Sequence, residues 1–232
     1  KRALRGIPDS RTCRRRLFPR KRWFREFPKL ARWSLTEQGL ESELKKMRKK
    51  LAIFEASCKR AGLSLRMVYA AARKWRRLFL HPKGEFYWFY REMKAVHREG
   101  SFLFIHAGLD DLSADIISGD GVKYLNRQFH KLLQQDLFEF YYGPVASTIR
   151  TKYRESDRPL TQRGVRRLHR DGVHVIVHGH VHRHHGQRIM LRKGMLNFEC
   201  DASIDRGTRS KEALKGPGAA VTIFRPDRTV LG

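Results

Sequence analysis

The sequence is short of acid and short of cysteine. Only 23 Asp and Glu stand against 50 Lys and Arg, a formal charge of +27 with histidines neutral. That balance excludes an acidic or neutral fold, and its field draws anionic, phosphate-bearing partners. The three cysteines, Cys13, Cys58 and Cys200, are odd in number and widely spaced. They exclude both a disulfide framework and a close-spaced zinc motif, and a cytoplasmic, reducing compartment is expected. No apolar run approaches the ~18–20 residues that span a bilayer, and Lys1–Cys13 lacks the apolar segment of a signal peptide. No membrane partner is expected.

Hydrophobic residues make up 41% of the chain and aromatics 11%, enough at 232 residues for a sizeable core. The charge is uneven. Residues 1–100 hold 29 basic and 9 acidic side chains (+20), and residues 101–232 hold 21 and 14 (+7). Three regions follow. Residues 1–33 are Arg-rich, punctuated by Pro8, Pro19 and Pro28 with Trp23, Phe24, Phe27 and Trp33 between, and read as a basic irregular segment. Residues 34–100 read as a basic helical insertion or cap. A capping box Ser34-x-x-Glu37 precedes Leu40, Leu44, Met47, Leu51, Phe54 and Cys58 at helical spacing, and a second helix runs from Ser64 to before Pro82. A third is expected from about Glu85 to Glu99.

Residues 101–232 read as α/β. Phe102–Ile105 and Val173–Val177 are short apolar runs suited to buried strands, separated by helical stretches around 122–141 and 161–170, the order of a parallel sheet. Further strands are expected at 188–191, 195–200 and 219–224, the last two flanked by Gly194 and by Gly216-Pro217-Gly218.

Six of the eleven histidines fall between residues 174 and 185. His180 and His182 follow Gly179 directly after a buried strand, at the carboxyl edge where open α/β sheets bind ligands. Neutral imidazoles at i and i+2 on such a loop suit metal ligation, with Gly179 giving a close backbone approach. His106 stands at the equivalent end of the earlier strand. By contrast His81, His97, His130 and His169 read as surface or hydrogen-bonded residues, His174 as packed within its strand, and His184 and His185 as a solvated basic turn. The run Asp201–Arg209 reads as a salt-bridged surface turn, with Arg206 and Arg209 as candidate phosphate contacts if it lies beside the histidines.

Gly179-His180-Val181-His182, together with His106-Ala107-Gly108-Leu109 at a strand end, resembles the calcineurin-like metallophosphoesterase superfamily. The resemblance covers roughly residues 84–232 and implies an α/β fold, the C-terminal half of an αββα sandwich with a basic helical cap. It also implies hydrolysis of a phosphoester at a dinuclear centre of two divalent metal ions (Mn, Fe, Zn or Ni), with His106 and His180 on one metal and His182 on the other. The family's earlier motifs, Asp-x-His, Gly-Asp-x-x-Asp and Gly-Asn-His, are absent; the single Gly-Asp, Gly119-Asp120, falls after the His106 motif. No catalytic residue is identifiable in this chain. Because the chain opens on Lys1 rather than Met, the missing motifs are expected upstream, and a chain without them is expected to leave an unpaired sheet edge and an exposed core face that call for a missing half or a partner. A rival reading is a catalytically inert, basic nucleic-acid-binding or ribonucleoprotein component on the same scaffold. A third is a mononuclear structural zinc site using His180, His182 and His184 or His185.

Overall fold

The computed structural model describes residues 4–32, 35–182, 186–215, 220–227 and 229–231. The chain divides into two compact units, Lys1–Met93 and Lys94–Gly232. Among the described residues no helix is long and apolar enough to cross a membrane.

The first unit is helical: α1 (Ser10–Leu17), α2 (Lys21–Leu30), α3 (Glu37–Arg60), α4 (Leu65–Phe79) and α5 (Tyr87–Glu92). The segment expected to be irregular therefore contains two helices. Pro8 and Pro19 each precede a helix by two residues, a position where a fixed φ and a missing N–H cost nothing, while Pro28 is accommodated inside α2 near its C-terminal end. Asp9 caps α1 by accepting the Thr12 N–H at 3.0 Å. Ser34 lies outside the described residues; α3 is capped by Thr36, which accepts the Gly39 N–H. Ser64 caps α4 through the Met67 N–H, at the expected start. Arg66 ties the leading segment to α4 by donating to the carbonyls of Pro8 and Ile7. Cys13, Phe27, Leu35, Leu40, Cys58 and Tyr90 are buried, whereas Phe54, Met67, Trp75, Trp88 and Phe89 remain exposed.

The second unit is mixed α/β: β1 (Val96–Glu99), β2 (Phe102–Ile105), α6 (Asp111–Gly119), α7 (Gly121–Gln135), α8 (Leu137–Tyr142), α9 (Ser147–Arg150), α10 (Gln162–Arg170), β3 (Val175–His178), β4 (Arg188–Arg192), β5 (Met195–Glu199), α11 (Arg206–Lys211), β6 (Ile223–Phe224) and β7 (Val230–Leu231). The expected third helix thus stops at Glu92, and residues 96–99 form a strand that turns through Gly100 (φ +55°) into β2. The five-stranded sheet has the order β1-β2-β3-β5-β4, and β6 pairs with β7 separately. β2, β3 and β5 run parallel; β1 and β4 flank them antiparallel. The parallel strands are therefore all interior, and the edges of the sheet are the antiparallel strands β1 and β4. Asn126 on α7 also blunts the β1 edge, accepting the Ala95 and Val96 N–H groups and donating to the Val96 carbonyl.

Strand alternation divides the sheet into two faces. Leu103, Ile105, Ile176, Met195 and Asn197 are buried on one. On the other, Val175, Val177 and Phe198 pack with Phe102, Phe104, Leu196 and Phe224. Toward the β4 edge Ile189 and Leu191 stay 65% and 71% exposed.

Candidate metal centre

Chain order brings the histidine loop to the sheet's carboxyl edge. β3 lies beside β5, but the chain first builds β4 and returns through a hairpin to insert β5 between them. β4 therefore begins at the carboxyl end of β5, with Arg188 opposite Glu199, just before Asp201 leaves the sheet. At β2 the chain leaves through His106, at β3 through Gly179 and His180. The Gly179 N–H donates to the His106 carbonyl at 3.0 Å, so the two exits are bonded to each other.

Two of the three expected ligands meet. The rings of His106 and His180 have centroids 5.0 Å apart at 50°. His180 adopts φ +64°, and the Val181 N–H closes the tight turn around it by donating to the Gly179 carbonyl at 2.8 Å. This left-handed conformation is strained for a residue with a Cβ, and it sets the direction of the ring. Burial, then Lys152 and His106, hold the His180 imidazolium below its usual range, from 6.5 to about 4. It is neutral at pH 7, the form that ligates a metal.

This pair of neighbouring imidazoles is the feature of the described residues that bears on the expectation of a metal. Among the described residues, however, no group of three or more His, Cys, Asp or Glu is placed to hold a metal ion.

His182 is engaged elsewhere. Its Nδ1 lies 2.8 Å from Glu212 Oε2, and its Nε2 lies 3.9 Å from Asp201 Oδ2. These two carboxylates were not legible as site residues; their only signal was that Asp201 follows a strand. Gly179 is not needed for close approach, since a Cβ there would meet nothing nearer than 3.6 Å. The glycine that packing demands is Gly108, where a Cβ would fall 2.5 Å from the Tyr153 hydroxyl and 2.7 Å from Thr151 Cγ2. Tyr153 is half-buried against the 106–109 turn and its hydroxyl accepts the Leu109 N–H at 3.1 Å. Burial pushes this phenol from 10.0 up to about 12.

The packed histidine of the third strand is His178, 2% exposed, rather than the exposed His174, which precedes the strand and faces His169 at 5.0 Å. Register aligns His178 with Ile105 and Glu199. Glu199 is fully buried and ion-paired with both Arg188, at 2.8 Å, and Arg192. Arg206 is exposed at the start of α11. Arg209 donates to the carbonyls of Ala202, Ser203, Leu214 and Lys215, holding the turn together. His184 and His185, members of the structural-zinc reading, lie outside the described residues.

No family model matches the chain, and neither a curated protein nor a solved structure matches it.

Proposed function

We propose that this chain supplies the C-terminal ligands of a metal-dependent phosphoesterase of the calcineurin-like type, acting on a phosphorylated, anionic substrate. The observation that supports the reading is the meeting of His106 and His180 from two parallel strand ends, with His180 neutral. A pair of divalent ions, when bound with ligands beyond this chain's described residues, would polarise a phosphoryl oxygen and acidify a water. The chain's own contribution is to orient His180 through a strained turn beside His106 and to place the acids Asp201 and Glu212 near His182. Lys152, whose charge helps to keep His180 unprotonated, adds positive potential for an incoming phosphate. Arg206, exposed beside this turn, extends that potential; Arg209 is committed to backbone carbonyls.

A second reading, an inert nucleic-acid-binding component, is favoured by the first unit. Residues 1–93 hold 27 basic and 8 acidic side chains (+19), and the unit exposes Phe54, Trp75, Trp88 and Phe89 among them.

The experiment is turnover of bis(p-nitrophenyl) phosphate, with Mn²⁺ or Zn²⁺ added, by the protein that carries this chain. Metal-dependent hydrolysis that falls at least about 100-fold in His106→Ala and His180→Ala is expected. Turnover that survives both substitutions would overturn the proposal. Absence of turnover, with RNA binding that weakens steeply as salt rises, would establish the second reading in its place.

A further inference from the structure

A cavity of about 380 Å³ opens between the 153–160 segment and the β4–β5 hairpin, with Arg154, Arg158, Arg192 and Lys193 around it and Leu160 and Met190 among its apolar walls. None of its lining residues is acidic. Carboxylates stand near two of these cations, Arg192 and Arg154. Glu199 holds Arg192, but it is shared with Arg188. Asp157 stands 3.6 Å from the Arg154 Nε while its Oδ2 accepts the backbone N–H groups of Lys152 and Arg154 at 2.9 and 3.1 Å. Among the described residues Lys193 has no carboxylate partner.

The position of Lys193 carries the argument further. It is the first residue of the two-residue turn joining β4 to β5, with φ +52°, followed by Gly194 at φ +91°. Turns of this kind favour Asn, Asp or Gly at the first position, because a left-handed conformation crowds a Cβ. A lysine there is a poor turn residue that puts a cation on the rim. Arg192 is held in place by Tyr153, its guanidinium 4.3 Å from the centroid of that ring.

We propose that this cavity binds a phosphorylated organic anion of nucleoside-diphosphate size. Two or more guanidinium forks and an ammonium match the oxygens of a diphosphate, and the anion relieves the mutual repulsion of four clustered cations. The volume falls within the range of small-molecule pockets, and the leucine and methionine walls accept the organic part. The site uses neither His106 nor His180, so it stands or falls independently of the phosphoesterase reading.

Isothermal titration of the full chain with ADP, pyrophosphate and inorganic phosphate at low salt tests it. ADP is expected to bind at one per chain and more tightly than pyrophosphate, with inorganic phosphate weakest. Lys193→Asn removes the charge while suiting the turn, and Arg154→Gln changes a half-exposed side chain; each is expected to weaken ADP about three- to tenfold. Equal ADP affinity in wild type and both charge variants would overturn the site. Pyrophosphate binding as tightly as ADP would overturn the organic part of the assignment.

Discussion

Glu199→Gln probes how the sheet beneath the histidines is held. The carboxylate is fully buried on β5, aligned across the sheet with His178 and Ile105, and answers two arginines of the neighbouring β4. Glutamine keeps the size of the side chain and one acceptor oxygen but removes the charge. Removing one partner of a buried ion pair costs about 3–5 kcal/mol, because the other charge is stranded. Here the arginines are not fully sealed: their side chains are 37% and 20% exposed, so water takes up part of the stranded charge. A loss of about 2–4 kcal/mol is therefore expected, a large fraction of the ~5–15 kcal/mol that holds a domain folded. Urea unfolding followed by far-ultraviolet circular dichroism reads the total, and hydrogen exchange at the β3 and β5 amides assigns it to this sheet. A loss below about 1 kcal/mol would refute the idea that Glu199 is the electrostatic anchor of the hairpin.

Other substitutions separate packing from chemistry. Gly108→Ala should destabilise by about 1–3 kcal/mol, since its Cβ meets the Tyr153 hydroxyl and Thr151, whereas Gly179→Ala should shift the melting midpoint little; thermal unfolding compares them. Tyr153→Phe leaves the Leu109 N–H unpaired and should cost about 1–3 kcal/mol in the same assay. The raised Tyr153 pKa gives alkaline sensitivity: the folded state keeps the proton longer than the unfolded, so this contribution is whole below pH 10 and is lost as pH rises through about 12. The late-titrating tyrosine absorbance at 295 nm should lose one residue's worth of amplitude in Tyr153→Phe; an unchanged late component in that variant would contradict the assignment.

Much of the second unit was legible because its periods are unmixed. Phe102–Ile105 and the Val175–Val177 run have the length and β-branching of buried strands, and a carboxyl-edge histidine follows each. The first unit was less so. Proline placed just before a helix reads like proline placed within a loop, and an amphipathic run over 85–99 hides a short helix followed by a hairpin strand whose edge is satisfied by Asn126, about thirty residues away. At the site, the strand-end pair His106 and His180 came from local pattern, whereas Asp201 and Glu212 are brought to His182 by the insertion of β5 between β3 and β4. That rearrangement is long-range, and no spacing along the chain encodes it. The same topology explains why the parallel strands found antiparallel neighbours instead of an open edge.

The histidine Cε1 proton resonances during a Mn²⁺ titration read the centre itself. If the imidazoles at the ends of β2 and β3 share an ion, the signals of residues 106 and 180 broaden first and together, and replacing either residue with alanine abolishes the effect on the other. Broadening that leaves those two sharp, or that reaches one without the other, would contradict a common cation at these strand ends.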